Sequence, residues 1–382
     1  MSICRYGKSK NNKLILTNVY FFVYFVNTKL TKMESTFADR FVSARKMAGM
    51  SLQELADSLG DVSKQALHQY EQGKARPDSE RLIRIAQLLG DRVNYFFRSE
   101  RVIRQSVEFR KRVKLTKTEE EKVREQTIDF LERYHELESL LDAQIKFENP
   151  IEGTVINSFE DIDPAAERLR DAWKLGRDSI GNVIETLEDR GIKVFQVSAN
   201  ESFDGLSAMG NDSLVIVVNT IFDVVRQRFT TLHELAHCVL RFNPDIPEKQ
   251  VEKLCHAFAG AFLLPKETFI EEMTVRRRYI SLAELVQVKE QYGVSIQAIM
   301  ARAKALGIIS DTGYQDFSIL FSKLGYRKNE PGRYLGQEKA LRFKQLLYRA
   351  AAEEIISMSK AAALNNQKLA EFRQELTGLT HG

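Results

Sequence analysis

Residues 230–242, TTLHELAHCVLRF, set two histidines and a glutamate into an otherwise apolar run. On a helix, positions four apart lie about 40° from one another, so His233 and His237 point the same way. The pattern H-E-x-x-H presents two imidazoles to one zinc ion, with Glu234 beside them to act as a base on water. A purely structural account must bury His233, Glu234 and His237 among Leu232, Leu235, Ala236, Val239 and Leu240. Burying polar groups without partners costs about 1–3 kcal/mol each. A metal ion satisfies all three at once. Thr231 and Glu234 also have the spacing of a capping box, which is the competing use of that glutamate.

Catalytic zinc takes three protein donors. Downstream, EKQVEKLCHAFAGAFLLP (248–265) reads as a helix whose apolar set is Val251, Leu254, Cys255, Phe258, Ala259 and Phe262. The polar members on the fitting face are Glu252 and His256, four apart. Three of the six histidines fall within the 24 residues 233–256, which favours a single site. Zinc enzymes with this motif often take a glutamate from the following helix. Glu252 is therefore assigned as the third ligand and His256 as the residue that steadies a ligand from behind. The reverse assignment is the alternative, with Glu248 a distant third. Arg226, Arg228 and Tyr279 are polar neighbours from which an oxyanion donor would come, and one sequence does not choose among them. Cys238 and Cys255 read as small core residues beside the site.

The elements that must position this chemistry follow from local pattern. PAAERLRDAWKLG and SIGNVIETLEDRG read as helices, the second burying Val183, Ile184 and Leu187. IKVFQVS, FDGLSAM and DSLVIVVNT read as strands, and the turns between them suit a small antiparallel sheet. VVRQRFTTLHELAHCVLRF is then a helix packed on that sheet. RFTTLHELAHCVL followed by ExxCHxFAxxFLLP resembles the ImmA/IrrE family of metallopeptidases, over residues 165–310 or so. The resemblance implies a zincin-like domain, a zinc endopeptidase, His233, His237 and Glu252 as ligands, and a protein substrate. Members of that family cleave repressor proteins, so the implied substrate is a repressor or antitoxin-like partner. The sequence departs from the family at Cys255 and His256, where Ala and Asn or Asp are usual. That departure leaves the role of His256 open.

A second chemistry is written nearer the N-terminus. Ser51 with Glu54 forms a capping box, Leu52, Leu55, Ala56 and Leu59 give an apolar stripe, and Gly60 stops it. Ser63 caps SKQALHQYEQG, which buries Ala66, Leu67 and Tyr70, and Asp78 or Ser79 opens a fourth helix. Two short helices across a tight turn make a helix-turn-helix, whose second helix enters the major groove. Lys64, Gln65, His68 and Gln69 are left outside; Gln pairs with adenine and Lys with guanine or phosphate. Residues 34–100 carry ten Lys/Arg and ten Asp/Glu, so no overall basic field adds to this. SLQELADSLGDVSKQALHQYEQGKARPD is similar to the Cro/repressor-type (XRE) helix-turn-helix. Carried over by that resemblance, Gln53, Ser63, Lys64, Gln65 and His68 touch DNA. His68 is less typical there.

The remaining stretches are less explicit. The net charge of +4 is too small to identify a partner, and three cysteines suit a reducing cytosol rather than a disulfide framework. LILTNVYFFVYFV (14–26) lacks a cleavage site and is shorter than the ~20 residues that span a bilayer. The stretch before the first domain (1–33) is expected to be an extension: residues 1–32 lie upstream of a natural start at Met33, or form a disordered tail. No membrane association is expected, a membrane anchor being the minority reading. RVIRQSVEFRKRVKL, with six basic residues and one acid, suits either phosphate contacts or a solvated linker. Residues 116–141 read as a long charged helix, a spacer or dimerisation arm. SLAELVQVKEQYGVSIQAIMARAKALGIIS is a second helix-turn-helix-shaped unit, read as structural. Residues 338–376 read as helical, with Leu346, Leu347, Ile355 and Ile356 buried.

The expected architecture is multidomain, mainly α with α+β. It comprises a 34–98 all-α helix-turn-helix bundle, a 99–150 basic and helical linker, a 151–310 zincin-like domain with a small sheet, and a helical 311–382 region. The function expected is a cytoplasmic DNA-binding regulator with zinc endopeptidase activity, its partners a double-stranded operator, a protein substrate and a second copy of itself. The alternative is a non-enzymatic repressor whose zinc is structural or sensory. Self-cleavage within 99–150 is a weaker third reading.

Overall fold

The computed structural model describes residues 37–98, 108–109, 115–210, 213–273 and 276–378. The expected extension at 1–33 and nearly all of the basic stretch at 101–114 lie outside the described residues. Four helices come first: α1 (Phe37–Met47), α2 (Leu52–Leu59), α3 (Lys64–Glu71) and α4 (Ser79–Leu89). Their caps are those signalled by the sequence. Ser51 Oγ accepts from Glu54 N–H while Glu54 accepts from Ser51 N–H. Ser63 accepts from Ala66 N–H and Asp78 from Arg81 N–H. Gly60 ends α2 at φ 76°, a left-handed cap that glycine enters without a Cβ clash. Phe41, Leu55, Leu67 and Ile85 are wholly buried between the four helices.

The next helix, α5 (Lys117–Leu141), is no spacer. It buries Val123, Ile128, Leu131, Tyr134 and Leu137, and with them several charges. Arg40 of α1 donates to Glu132 at 2.8 Å. Arg98 donates to Glu132 at 2.8 Å and to Asp129 at 2.7 Å. Arg133 donates to Asp129 and also to the carbonyl of Leu364, near the C-terminus. Removing one partner of a buried pair costs about 3–5 kcal/mol, because the other charge is left uncompensated. The N-terminal bundle is thus fixed to α5 by ions that cannot be traded singly.

Strands β1 (Glu108–Phe109), β3 (Lys193–Val197), β4 (Gly205–Gly210) and β5 (Ser213–Asn219) form one sheet in the order β1-β4-β5-β3; β2 (Val155–Ile156) and β6 (Arg241–Phe242) form a parallel pair. The sheet is mixed, not antiparallel as the turns suggested. β4 runs antiparallel to β5, but β3 runs parallel to it, Lys193 opposite Val215. The loop 198–204 carries the chain past β5 to its far side. Buried Asn219 holds that loop, donating to the carbonyls of Ala199, Asn200 and Phe203.

The run LVIVV in β5 is apolar at every position because both faces are covered. Leu214, Ile216 and Val218 face α6 (Ile162–Ala172), α7 (Val183–Glu188), α8 (Val224–Val239) and α9 (Glu248–Leu263). Val215 and Val217 join the core made by α5 with α14 (Arg342–Ala352), α15 (Met358–Leu364) and α16 (Leu369–Gly378). After α9 in the chain come α10 (Lys266–Met273), α11 (Leu282–Tyr292), α12 (Ile296–Ala305) and α13 (Asp311–Lys323), which pack into the first of these cores. Ser281 and Ser295 cap α11 and α12 as expected. Ile296, Ile299, Met300 and Ala303 of α12 are buried in the core shared with α9, as the structural reading of that unit requires. The stretch 338–376 is helical as expected, divided among α14, α15 and α16. Ile355 is exposed, since it falls in the turn after α14, where Glu354 takes a positive φ.

Candidate metal centre and nucleic-acid face

The helix that carries H-E-x-x-H, α8, begins at Asp223, whose side chain accepts from Arg226 N–H. It lies directly on β4. A Cβ added at Gly205 would come within 2.7 Å of Thr230 Cγ2 and of the Val217 carbonyl, so only glycine allows this approach. The same position sits 3.7 Å from Glu234 Cγ, which places the edge of β4 beside the acid. α9 crosses α8, and its Leu254, Phe258 and Phe262 are fully buried. That packing turns the first polar turn of α9 toward the histidines.

Three donors meet there. His233 Nε2 and His237 Nε2 are 3.2 Å apart. Glu252 Oε2 is 3.3 Å from His233 Nε2, and Glu252 Oε1 is 3.2 Å from His237 Nε2. Donors about 2.0–2.2 Å from a tetrahedral zinc stand about 3.3 Å from one another. The measured separations meet that spacing, and two imidazoles with one carboxylate form a donor set typical of catalytic zinc. The residues therefore fit the ion. Glu248 is not among the donors that converge.

The surroundings orient the set. Cys255 Sγ is 3.3 Å from His237 Nδ1. A neutral imidazole that gives Nε2 to a metal carries its proton on Nδ1, which then donates to sulfur and fixes the ring. His256 does not join the cluster. Its Nδ1 donates to the Glu252 carbonyl at 2.7 Å, and its ring lies 4.3 Å from that of His233 and stacks on Phe229.

A cavity of about 590 Å³ opens on the cluster, lined by His233, Glu234, His237, Glu252 and His256 and, opposite, by residues 202–207. Of the three neighbours considered as oxyanion donors, only Arg226 lines it; it pairs with Asp204 at the rim. Arg228 is wholly buried against Glu338, and Tyr279 is 72% exposed away from the cavity. Ser207 was missed by the sequence reading. Its hydroxyl is buried in the cavity wall, with no hydrogen-bond partner among the described residues. Nothing in its neighbourhood sequence marks it, because the residue is brought to the site by strand register alone.

The second candidate face is simpler. Gln53 on α2, and Ser63, Lys64, Gln65, His68 and Gln69 at and along α3, are all exposed. Leu67 and Tyr70 turn inward. Gln53 Nε2 donates to Asp57, and His68 contacts Gln72. Arg45 ties α1 to α3 through Glu71 at 2.8 Å, fixing the tilt of the exposed helix.

Fold and sites together define a capped helix-turn-helix bundle joined to a small-sheet domain with a two-helix H-E-x-x-H centre. Residues 43–92 match the family model for Helix-turn-helix, and residues 187–304 match that for the IrrE N-terminal-like domain. No curated protein matches the chain. The chain thus carries, in that order, an XRE-type DNA-binding unit and an IrrE/ImmA-like domain of a zinc metallopeptidase family. Among the described residues no helix is long and apolar enough to cross a membrane.

Proposed function

We propose that the protein is a DNA-binding regulator that hydrolyses peptide bonds in another protein, using zinc held by His233, His237 and Glu252. The observation that carries this reading is the convergence of those three donors at 3.2–3.3 Å, with Glu234 on the same cavity. When bound, zinc polarises the scissile carbonyl and lowers the pKa of water in reach. Glu234 takes the water proton and returns it to the leaving amine. Cys255 beside His237 Nδ1 would hold the ring in the tautomer that leaves the Nε2 lone pair for the ion. His256 fixes the backbone turn that carries Glu252 and forms part of the cavity wall. Arg226 supplies hydrogen bonds to the substrate from the rim. A repressor-type protein suits the fusion, since an operator-bound chain meets other DNA-bound regulators. On the bundle, Gln65 reads base edges, while Gln53, Ser63, Lys64, His68 and Gln69 set the register on the phosphates.

Glu234→Gln tests the reading. Zinc content should stay as in the parent, while cleavage of a peptide library, followed by mass spectrometry, should fall by about 10²–10⁴-fold. Equal, zinc-dependent cleavage by parent and variant would remove Glu234 from the mechanism. No cleavage by the zinc-loaded parent would favour a repressor with a structural zinc.

A further inference from the structure

A second cleft, of about 840 Å³, opens beside the metal cavity, and the two share Arg226 and Phe229. Its far wall is residues 327–337, which lie beyond the segment matching the IrrE N-terminal-like domain. Buried polar contacts hold that wall in place. Glu338, 6% exposed, accepts from the N–H groups of Val183 and Ile184 and pairs with Arg228 of the H-E-x-x-H helix. Gln196 donates to the Glu338 carbonyl and accepts from Ala340 N–H. At the other end Glu330 accepts from Ile296 N–H at 2.8 Å and Gln297 N–H at 3.2 Å, and pairs with Lys289. The wall is therefore fixed relative to the helix that carries Glu234.

Its charge is one-sided. The lining holds Arg226, Lys289, Arg327, Lys328 and Arg333 against only Asp223 and Glu330. Asp223 is committed to capping α8, Glu330 to Lys289, and Arg226 to Asp204. Arg327, Lys328 and Arg333 are exposed, and among the described residues no carboxylate forms an ion pair with their side chains, Glu290 accepting only from the Arg333 backbone N–H. Leu335, 80% exposed, stands among them as an apolar contact that a small inorganic anion would not use.

We propose that this cleft binds an acidic segment of the polypeptide whose scissile bond lies at the metal cavity. The proposal rests on the hydrolase reading. A chain leaving the cavity over Arg226 and Phe229 enters the cleft directly, and carboxylates spaced along it meet the three unpaired cations. The substrate class is thus a protein with a cluster of Asp and Glu to one side of the cleaved bond.

The test is binding, so that it needs no turnover. Full-length Glu234→Gln protein is titrated with two fluorescein-labelled peptides of equal length, one rich in Asp and Glu, the other with Asn and Gln in their place. Anisotropy should show the acidic peptide bound about tenfold or more tightly at low salt, with the difference shrinking as salt screens it. Combining Arg327→Glu, Lys328→Glu and Arg333→Glu should abolish the preference. Should that variant misfold, the three Gln substitutions serve, with unfolding temperature and zinc content as controls. Equal binding of the two peptides, or a preference that survives the substitutions, overturns the proposal. So does binding of duplex DNA that is lost with these substitutions, which would assign the cleft to nucleic acid. Acid preference without cleavage by the parent chain supports the cleft and overturns the hydrolase reading. Cleavage without acid preference does the reverse.

Discussion

Helices α3 and α8 are both opened by a side-chain cap and both carry a row of polar residues, but the rows face opposite ways. On α3, Lys64, Gln65, His68 and Gln69 stand in water, while Leu67 and Tyr70 hold the helix down. On α8, His237 is 4% exposed, and His233 and Glu234 are half-buried beside it. Hydrated side chains lose little by waiting for a partner. Groups taken out of water must be satisfied within the fold, and three converging donors are satisfied by a cation. On the proposed function, the first row meets an external partner that arrives and leaves, and the second holds a resident ion. Substitutions should separate the two.

The largest effect is expected from His237→Ala. It removes one of three donors, so zinc affinity should fall by more than the roughly 10–100-fold that loss of an outer partner costs. Competition with a chromogenic chelator measures this, and operator binding by the same sample should be unchanged. Parent-like zinc affinity would mean that the inward row serves packing only. A smaller effect is expected at Cys255, which touches the metal set through His237 Nδ1. Cys255→Ala should weaken zinc by about tenfold, and Cys255→Ser should recover most of it, since a hydroxyl oxygen accepts the same N–H. Equal affinities for Ala and Ser would show that the sulfur fills space and orients nothing.

The outward row should respond in the other assay alone. Gln65→Ala should cost operator binding about 1–3 kcal/mol and relax preference at one base position, while Lys64→Ala should weaken binding to all sequences and lower the salt slope by about 1. Selection from a random duplex pool, with zinc content as control, reads both. A uniform loss for Gln65→Ala would reassign it to the phosphates.

The difference between the rows also governs how much could be read beforehand. The bundle was legible nearly to the residue, because capping boxes, Gly60 and the apolar stripe are all contacts within a few positions. H-E-x-x-H was legible for the same reason: one helix sets its geometry. Glu252 could be assigned with a general rule about the following helix, although His256 lay open until its ring was seen against Phe229 and its Nδ1 on the Glu252 carbonyl. The walls were not legible. Ser207 and Gly205 reach the site by strand register, and residues 327–337 by a return of the chain about 100 residues after the helix they flank. The mixed sheet was hidden because parallel and antiparallel neighbours ask the same of β5. The unbroken LVIVV run was the signal left unread, since a strand apolar at every position is covered on both faces.

The smallest predicted effect concerns an inward polar group that has no metal to answer to. Glu188 ends α7, 2% exposed, and accepts from Leu341 and Arg342 N–H at the start of α14. Burial pushes its carboxyl up to about 7; the two N–H groups and Arg342 oppose the shift without cancelling it. The folded chain then holds this proton over a range where the unfolded chain has released it. Its contribution to stability is full below pH of about 4.5, falls as pH rises toward about 7, and is absent above. Glu188→Gln keeps an acceptor oxygen for the same N–H donors and cannot ionise. The unfolding temperature of the parent, less that of the variant, should therefore decline by a few degrees between pH 5 and pH 8, on the order of 2–4 °C per kcal/mol. A difference that stays flat would show that Glu188 is ionised throughout. In that case the join between α7 and α14 would tolerate a buried charge with only two N–H donors and Arg342 to answer it.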